Sequence, residues 1–225
     1  MEISPPNIDA TTRGKTAMRR YTCSRPIALA LADGLIKNDH SFFDFGCGHG
    51  SDIEFLRKRK VNAAGWDPSH FPDHPVCSAD VVNLGFVLNV IEDPQERAET
   101  LRSAFGLARK LLIVSVRVDH GHTTTSEFGD GMITNKGTFQ KIYSQTEFTQ
   151  YVRAILGRSI HVAGIGIAYV FANQIAESEF VHLNWLISST TASTAERTDA
   201  EINARTVVEI LLNAEMELGK LRGVE

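Results

Sequence analysis

The chain has 225 residues, 43% of them hydrophobic, and a formal net charge of −4. That length can bury the core of one domain with a small elaboration, and is short for two independent domains. The acidic balance argues against a broad nucleic-acid surface while leaving room for a local basic patch. Three cysteines, an odd count without C-x-x-C spacing, point to neither a disulfide framework nor a zinc site.

The first twelve residues are polar and carry Pro5 and Pro6, which predicts a loose start without the charged-then-apolar order of a signal peptide. No run of about 18 apolar residues follows. A cytoplasmic location without a membrane partner is the expectation. Arg13, Lys15, Arg19, Arg20 and Arg25 then form a basic arm with no acid among them. A nucleic-acid contact, a solvated surface and a lid over a ligand all fit it. The lid is preferred, because the arm leads directly into the first helix, Ile27 to Ala32, which stops near Gly34.

The run Phe42-Phe43-Asp44-Phe45-Gly46-Cys47-Gly48-His49-Gly50 is an apolar strand ending in an acid and alternate glycines. Such glycines let the backbone turn sharply and approach a ligand closely. Ser51-Asp52-Ile53-Glu54 follows as a capping box, which puts the glycine loop at a helix N-terminus. A second strand from Val61 to Trp66 ends in Asp67-Pro68. Its acid lies about 20 residues beyond the first, the interval of the ribose-binding acid in nucleoside-binding βαβ units. Asp67 can accept both ribose hydroxyls.

Three prolines within Pro68 to Pro75 are too many for a helix or a central strand, so the next crossover helix is expected to be missing or reduced. Ala79 to Val87 reads as a buried strand with its carboxyl end near Asn83, Leu84 and Gly85. Pro94 opens a helix from Gln95 to Arg109. Leu111 to Val116 is a continuous apolar run, as in a strand covered on both faces. Strands alternating with helices predict an α/β fold with a doubly wound parallel sheet and a ligand beyond the carboxyl ends of its strands. Asp44, Asp67, Asn83 and the residues after Val116 should converge there.

Residues 119–143 form a long Thr- and Gly-rich loop expected at that same end. Its His120 and His122 read more simply as exposed loop histidines than as a base or metal ligands, and no metal is expected. A helix from Thr146 to Leu156, paired or extended strand from Ser159 to Ala172, a helix from Glu177 to Ile187, a linker from Ser188 to Thr194 and a final helix complete the chain. On that last helix Ala200, Ala204, Val207, Leu211, Ala214, Leu218 and Leu221 repeat with 4-3 spacing, which suits packing on the same domain and homodimer pairing equally. The chain thus divides into an arm and lid helix (1–38), a ligand-binding unit (39–173) and a helical extension (174–225).

The G-x-G-x-G form preceded by Asp44 resembles motif I of class I S-adenosylmethionine (SAM) dependent methyltransferases. With Ser24-Arg25-Pro26, Gly65-Trp66-Asp67-Pro68, Ala79-Asp80-Val81-Val82-Asn83-Leu84-Gly85, Val90-Ile91-Glu92-Asp93-Pro94, Phe128-Gly129-Asp130-Gly131 and Gly137-Thr138-Phe139-Gln140-Lys141, the chain resembles the DNA phosphorothioation-associated putative methyltransferases over roughly residues 13–173. The resemblance implies a Rossmann-like methyltransferase sheet with an N-terminal helical lid, to which this chain adds C-terminal helices outside the matching stretch. It implies SAM as cosubstrate and leaves the acceptor open. The loop in that family cradles an uncharged ribose and a methionine tail.

By motif position the cofactor-binding set is Asp44, Gly46, Cys47, Gly48, His49, Gly50, Asp67, Pro68, Asn83, Leu84 and Gly85, with Arg20 of the arm meeting the methionine carboxylate. Cys47 reads more simply as a small side chain packed under the cofactor than as a nucleophile. Tyr21, Tyr143 and Tyr169 are candidate catalytic walls, since an aromatic face attracts a sulfonium, and Asn135 joins them from the long loop. Core packing is the plainer reading of Tyr169.

The sulfonium of SAM opens three carbons to nucleophilic displacement. Asn83-Leu84-Gly85-Phe86 lacks the paired prolines of adenine-targeting enzymes, and no Pro-Cys nucleophile follows, so DNA base methylation is disfavoured. Methyl transfer to a small-molecule acceptor, as in natural product biosynthesis, leads. A chain that closes its own mouth also suits a SAM lyase or cyclase, in which the α-amine attacks the γ-carbon to give azetidine-2-carboxylate and methylthioadenosine. A non-catalytic SAM-binding protein is the third reading.

Overall fold

The computed structural model describes residues 10–118 and 126–192. The basic arm begins with a short helix, α1 (Ala10–Gly14), and an irregular strap leads to α2 (Arg25–Ala32). The strands β1 (Ser41–Phe45), β2 (Asn62–Trp66), β3 (Ala79–Gly85) and β4 (Ala108–Ser115) follow, with α3 (Ser51–Lys58) after β1 and α4 (Pro94–Leu107) after β3. No helix connects β2 to β3, as the prolines foretell.

These four strands run parallel in the order β2-β1-β3-β4. The hairpin β8 (His161–Gly164) and β9 (Ile167–Phe171) extends the sheet antiparallel, with β9 beside β4 and β8 at the edge. The alternation of side chains along each strand builds two cores. Phe43, Val82, Leu112 and Val114 pack towards α4 and α5 (Gln145–Leu156), while Phe42, Val81, Leu111 and Ile113 pack towards α2 and α3. Helices on both faces of one sheet make the fold a doubly wound, Rossmann-like α/β architecture.

The order reverses between β1 and β3, because the chain leaves β1 for β2 on one side and returns to β3 on the other. Crevices at such switch points, beyond the strand ends, are where this architecture takes ligands. At the outer edge the proline-rich segment after β2 folds back beside it. The Trp66 indole donates to the Pro72 carbonyl at 3.2 Å, and the His74 ring approaches the Gly65 carbonyl at 3.2 Å. Prolines beside a bare strand discourage edge-to-edge pairing.

Three expectations need correction. The long loop contains a small antiparallel sheet, β5 (Ser126–Phe128), β6 (Gly131–Ile133) and β7 (Phe139–Gln140), because Gly129 and Gly137 adopt positive φ and turn it into two tight hairpins. The linker at Ser188 is helical instead: α6 (Gln174–Ala192) runs through it, since a serine and threonine run is only mildly unfavourable to helix. The capping box is not formed. Gly50 caps α3, and the Ser51 hydroxyl accepts the backbone N–H of Arg20. His120, His122 and the 4-3 seam after Ala200 lie outside the described residues, and no described helix is long and apolar enough to cross a membrane.

Candidate ligand site at the sheet switch point

Strands β1 and β3 place Asp44 directly opposite Asn83 across the switch. Both are buried, and Asn83 Nδ2 donates to Asp44 Oδ1 at 2.8 Å. Asn83 Oδ1 on the other side of the amide has no hydrogen-bond partner among the described residues. A buried acceptor left alone costs on the order of 1–3 kcal/mol, so this end of β3 is built for an incoming donor. Burial, then the like charge of Asp52, pushes the Asp44 carboxyl well above the usual carboxylate range, against the Asn83 hydrogen bond and the Arg20 charge. Asp52 is itself buried at the start of α3, where it accepts the Ser24 backbone N–H.

The glycine loop crosses from Asp44 to α3, held at its far side by Asp67. Asp67 Oδ2 accepts the Gly48 N–H at 2.9 Å. Its Oδ1 accepts the backbone N–H groups of Ser69 at 2.9 Å and His70 at 3.0 Å, and lies 3.0 Å from His70 Nδ1. Burial opposes ionisation, but the bonds from His70, Ser69 and Gly48 outweigh it and hold the carboxyl below its ordinary value. Oδ1 is therefore filled, and Oδ2 keeps room for one hydroxyl. A second hydroxyl would compete with the His70 ring for Oδ1.

His49 packs edge-on to His70 with ring centroids 4.2 Å apart. Burial, His70 and Arg19 together hold its imidazole below the ordinary histidine value. The Cys47 thiol points back to the Gly48 carbonyl, and burial, with Asp44 and Asp67 nearby, pushes it far above the usual thiol range. That environment suppresses the thiolate, as packing predicts and nucleophilic chemistry does not.

The basic arm lies over this loop. Arg13 binds Glu92 at 2.8 Å and Glu96 at 2.7 Å, which fastens α1 to the start of α4. Further along, Ala17 presses on the loop so closely that a Cβ at Gly48 would sit 3.0 Å from the alanine Cβ, and Gly48 has a φ of +53° as well. Only glycine fits both constraints. Arg20 then reaches Asp52 at 4.0 Å, and its guanidinium lies 5.8 Å from the centroid of the Phe86 ring.

On the other side the small sheet is clamped to α4. Arg97, 1% exposed, makes paired bonds to Asp130 at 2.7 and 3.0 Å and donates to the Ile91 carbonyl at 3.0 Å. Lys141 adds contacts to Asp130 at 3.1 Å and Glu147 at 2.7 Å.

The structure thus gathers Asp44, Gly46, Cys47, Gly48, His49, Gly50, Asp67, Asn83, Gly85 and Arg20 at one end of the sheet. Four other candidates fall elsewhere. Tyr143 packs in the core beside Phe148, and Tyr169 packs against Phe180 with its hydroxyl donating to Asp33 at 2.8 Å. Tyr21 is 83% exposed on the strap, and Asn135 is exposed at the tip of the β6–β7 hairpin. Burial keeps Tyr143 and Tyr169 in the core, while Tyr21 stands exposed on the strap beside Arg20. Leu84 also turns into the core, and Pro68 is exposed behind Asp67. Asp52, His70, Arg13 and Phe86 carry no motif of their own. For Phe86 the available signal is its place directly after the end of β3.

Among the described residues no group of three or more His, Cys, Asp or Glu side chains is arranged to hold a metal ion. No family model matches the chain, and no curated protein does. Solved structures similar to it include a 1,6-didemethyltoxoflavin-N1-methyltransferase of Burkholderia thailandensis with S-adenosylhomocysteine bound, at 13% identity over 65% of this chain and 77% of that one, with a TM-score of 0.42. A SAM-bound amino pentose methyltransferase of Micromonospora echinaspora is 14% identical over 73% of this chain and 95% of its own, with a TM-score of 0.47. A sugar N-methyltransferase of a Streptoalloteichus species is 12% identical over 74% and 89%, with a TM-score of 0.49. Superpositions this loose leave the site's own geometry as the ground for a functional reading.

Proposed function

We propose that the chain is a SAM-dependent enzyme of the class I methyltransferase fold that transfers a methyl group to a small-molecule acceptor. The observation that carries this reading is the Asp44–Asn83 pair at the switch point, joined through the glycine loop to Asp67 by the Gly48–Asp67 bond. That constellation offers acidic acceptors at two ends of a backbone cradle, which suits a ribose and an ammonium better than a pyrophosphate. The motif resemblance to the DNA phosphorothioation-associated putative methyltransferases supports the same cofactor.

SAM supplies an electrophilic methyl on a sulfonium. Asp67 Oδ2 would hold a ribose hydroxyl, and Asp44 with Asn83 Oδ1 would accept the α-ammonium. The strap would exclude water from above, and the clamped small sheet would wall the acceptor side. Displacement returns the carbon–sulfur bonding pair to sulfur as the acceptor lone pair bonds the methyl. An oxygen or nitrogen acceptor gives its proton to water or a nearby base. Ligand charge also explains the local electrostatics: a cation beside Asp44 makes its ionised form favourable again, so binding should release a proton.

A second reading, cyclisation of SAM itself, is favoured by the strap lying on the glycine loop, since a covered mouth suits a reaction without a second substrate. Purified chain incubated with SAM alone separates the two. Methylthioadenosine supports cyclisation. Unchanged SAM, followed by S-adenosylhomocysteine once small hydroxyl or amine acceptors are added, supports methyl transfer. SAM bound but unconsumed in every case would leave a binding protein.

A further inference from the structure

Phe86 has a backbone conformation that its residue type resists. Its φ is +61°, in the left-handed region that bulky side chains rarely enter, and the residue lies at the end of β3 beside the switch point. Two contacts hold it there. The Phe86 N–H donates to the Ser115 carbonyl at the end of β4 at 2.9 Å, and the side chain of the next residue, Val87, fills the space beside Gly46. A glycine would take the same turn without strain. The ring is therefore retained at a conformational cost.

The ring's neighbour shows what it is suited to hold. The Arg20 guanidinium lies 5.8 Å from the ring centroid and reaches Asp52 at 4.0 Å, so a positive charge sits between an aromatic face and a buried carboxylate. An aromatic face attracts cations through its quadrupole, and more strongly where water is excluded. The three tyrosines that the sequence offers for this task are two core residues and one surface residue. Phe86 lies instead three residues beyond Asn83, directly after the strand whose Asn83 faces Asp44.

We propose that Phe86 is a specificity-determining residue of the site, whose ring favours a cationic sulfonium ligand over its neutral thioether counterpart. The inference rests on the SAM reading above and deepens it. SAM and S-adenosylhomocysteine share ribose, adenine and amino-acid groups and differ in one methyl and one charge. A ring that acts only by packing contributes nearly equally to both, whereas a ring that reads charge contributes to SAM alone. The consequence for turnover is directional: once the charge is lost on sulfur, this contact no longer holds the product.

Calorimetric titration of the full chain with SAM and with S-adenosylhomocysteine tests this, read as the ratio of the two affinities. Phe86→Leu should lower the SAM preference about threefold to tenfold, and Phe86→Tyr should keep it. Phe86→Gly removes both ring and backbone strain, so it should give the same fall in the ratio if the leucine variant is unstable. Equal weakening of both ligands in the leucine and glycine variants would overturn the inference while leaving the SAM reading intact. Failure of the unaltered chain to bind either ligand would instead remove the reading on which it rests.

Discussion

Asp44 is shut away from water with one amide donor and a second buried carboxylate for company, an arrangement that is costly without a cation. Its folded-state pKa lies above the unfolded one, so the folded chain keeps a proton that the unfolded chain has released. Stability from this group is present at low pH, falls as pH rises from the ordinary aspartate range towards the raised value, and stays reduced above it. Asp44→Asn should accordingly melt higher than the unaltered chain at pH 8, by roughly 2–4 °C for each kcal/mol relieved, and about equally at pH 4. The same variant should bind SAM more weakly. A melting-temperature profile against pH checks the first statement, and a lower melting temperature at pH 8 would refute it.

Asp67 behaves in the opposite sense. Its depressed pKa contributes stability above the ordinary aspartate value, and that contribution is lost as pH falls through the depressed one. Asp67→Ala should weaken SAM binding by about 1–3 kcal/mol, the scale of a lost hydrogen bond to a buried ligand. Unchanged affinity in a titration would contradict the ribose assignment. Both acids are legible in the sequence because their type and spacing follow from strand ends. Phe86 is not, since a positive φ at a phenylalanine arises from the Ser115 bond and the packing of Val87, contacts that no local pattern encodes.

At the scale of elements, the strap and the small sheet are each fixed by an arginine whose partners are distant in sequence. Arg13 ties α1 to Glu92 and Glu96, 79 and 83 residues away. Arg13→Ala should release the strap and speed SAM dissociation about tenfold in stopped-flow traces. Exchanging the charges in Arg13→Glu with Glu92→Arg should restore part of the loss. An unchanged dissociation rate would show that the strap is not a lid.

Arg97 is nearly fully buried, and removing its partner leaves a charge with fewer bonds. Asp130→Ala should cost about 2–4 kcal/mol in urea denaturation, at the lower end for a broken buried pair because the Asp130 side chain is 40% exposed. Replacing both partners, as Arg97→Met with Asp130→Leu, should cost less than the single change. The basic composition of the arm is plain in the sequence, and so is the glycine content of the long loop. That the arm's first arginine seeks acids on α4, and that the turns close a three-stranded sheet, depends on tertiary contact, which explains why a loop is the natural expectation there.

For the whole molecule, alternating strands and helices, the missing crossover helix and the strand-end acids are readable in advance because each follows from hydrophobic period or from proline and glycine chemistry. Strand order and the antiparallel hairpin at the far edge are not, since they record how segments pair over long separations. The strand order gives the sheet its switch point, and with it the place where the acids and the glycine loop converge. Everything functional therefore turns on whether that convergence takes up SAM. Isothermal titration of the purified full chain with SAM, repeated in buffers of different ionisation enthalpy, tests this most directly. Saturable one-to-one binding with net proton release is expected, weakened by about 1–3 kcal/mol in Asp67→Ala. Absence of binding by both SAM and S-adenosylhomocysteine would contradict it.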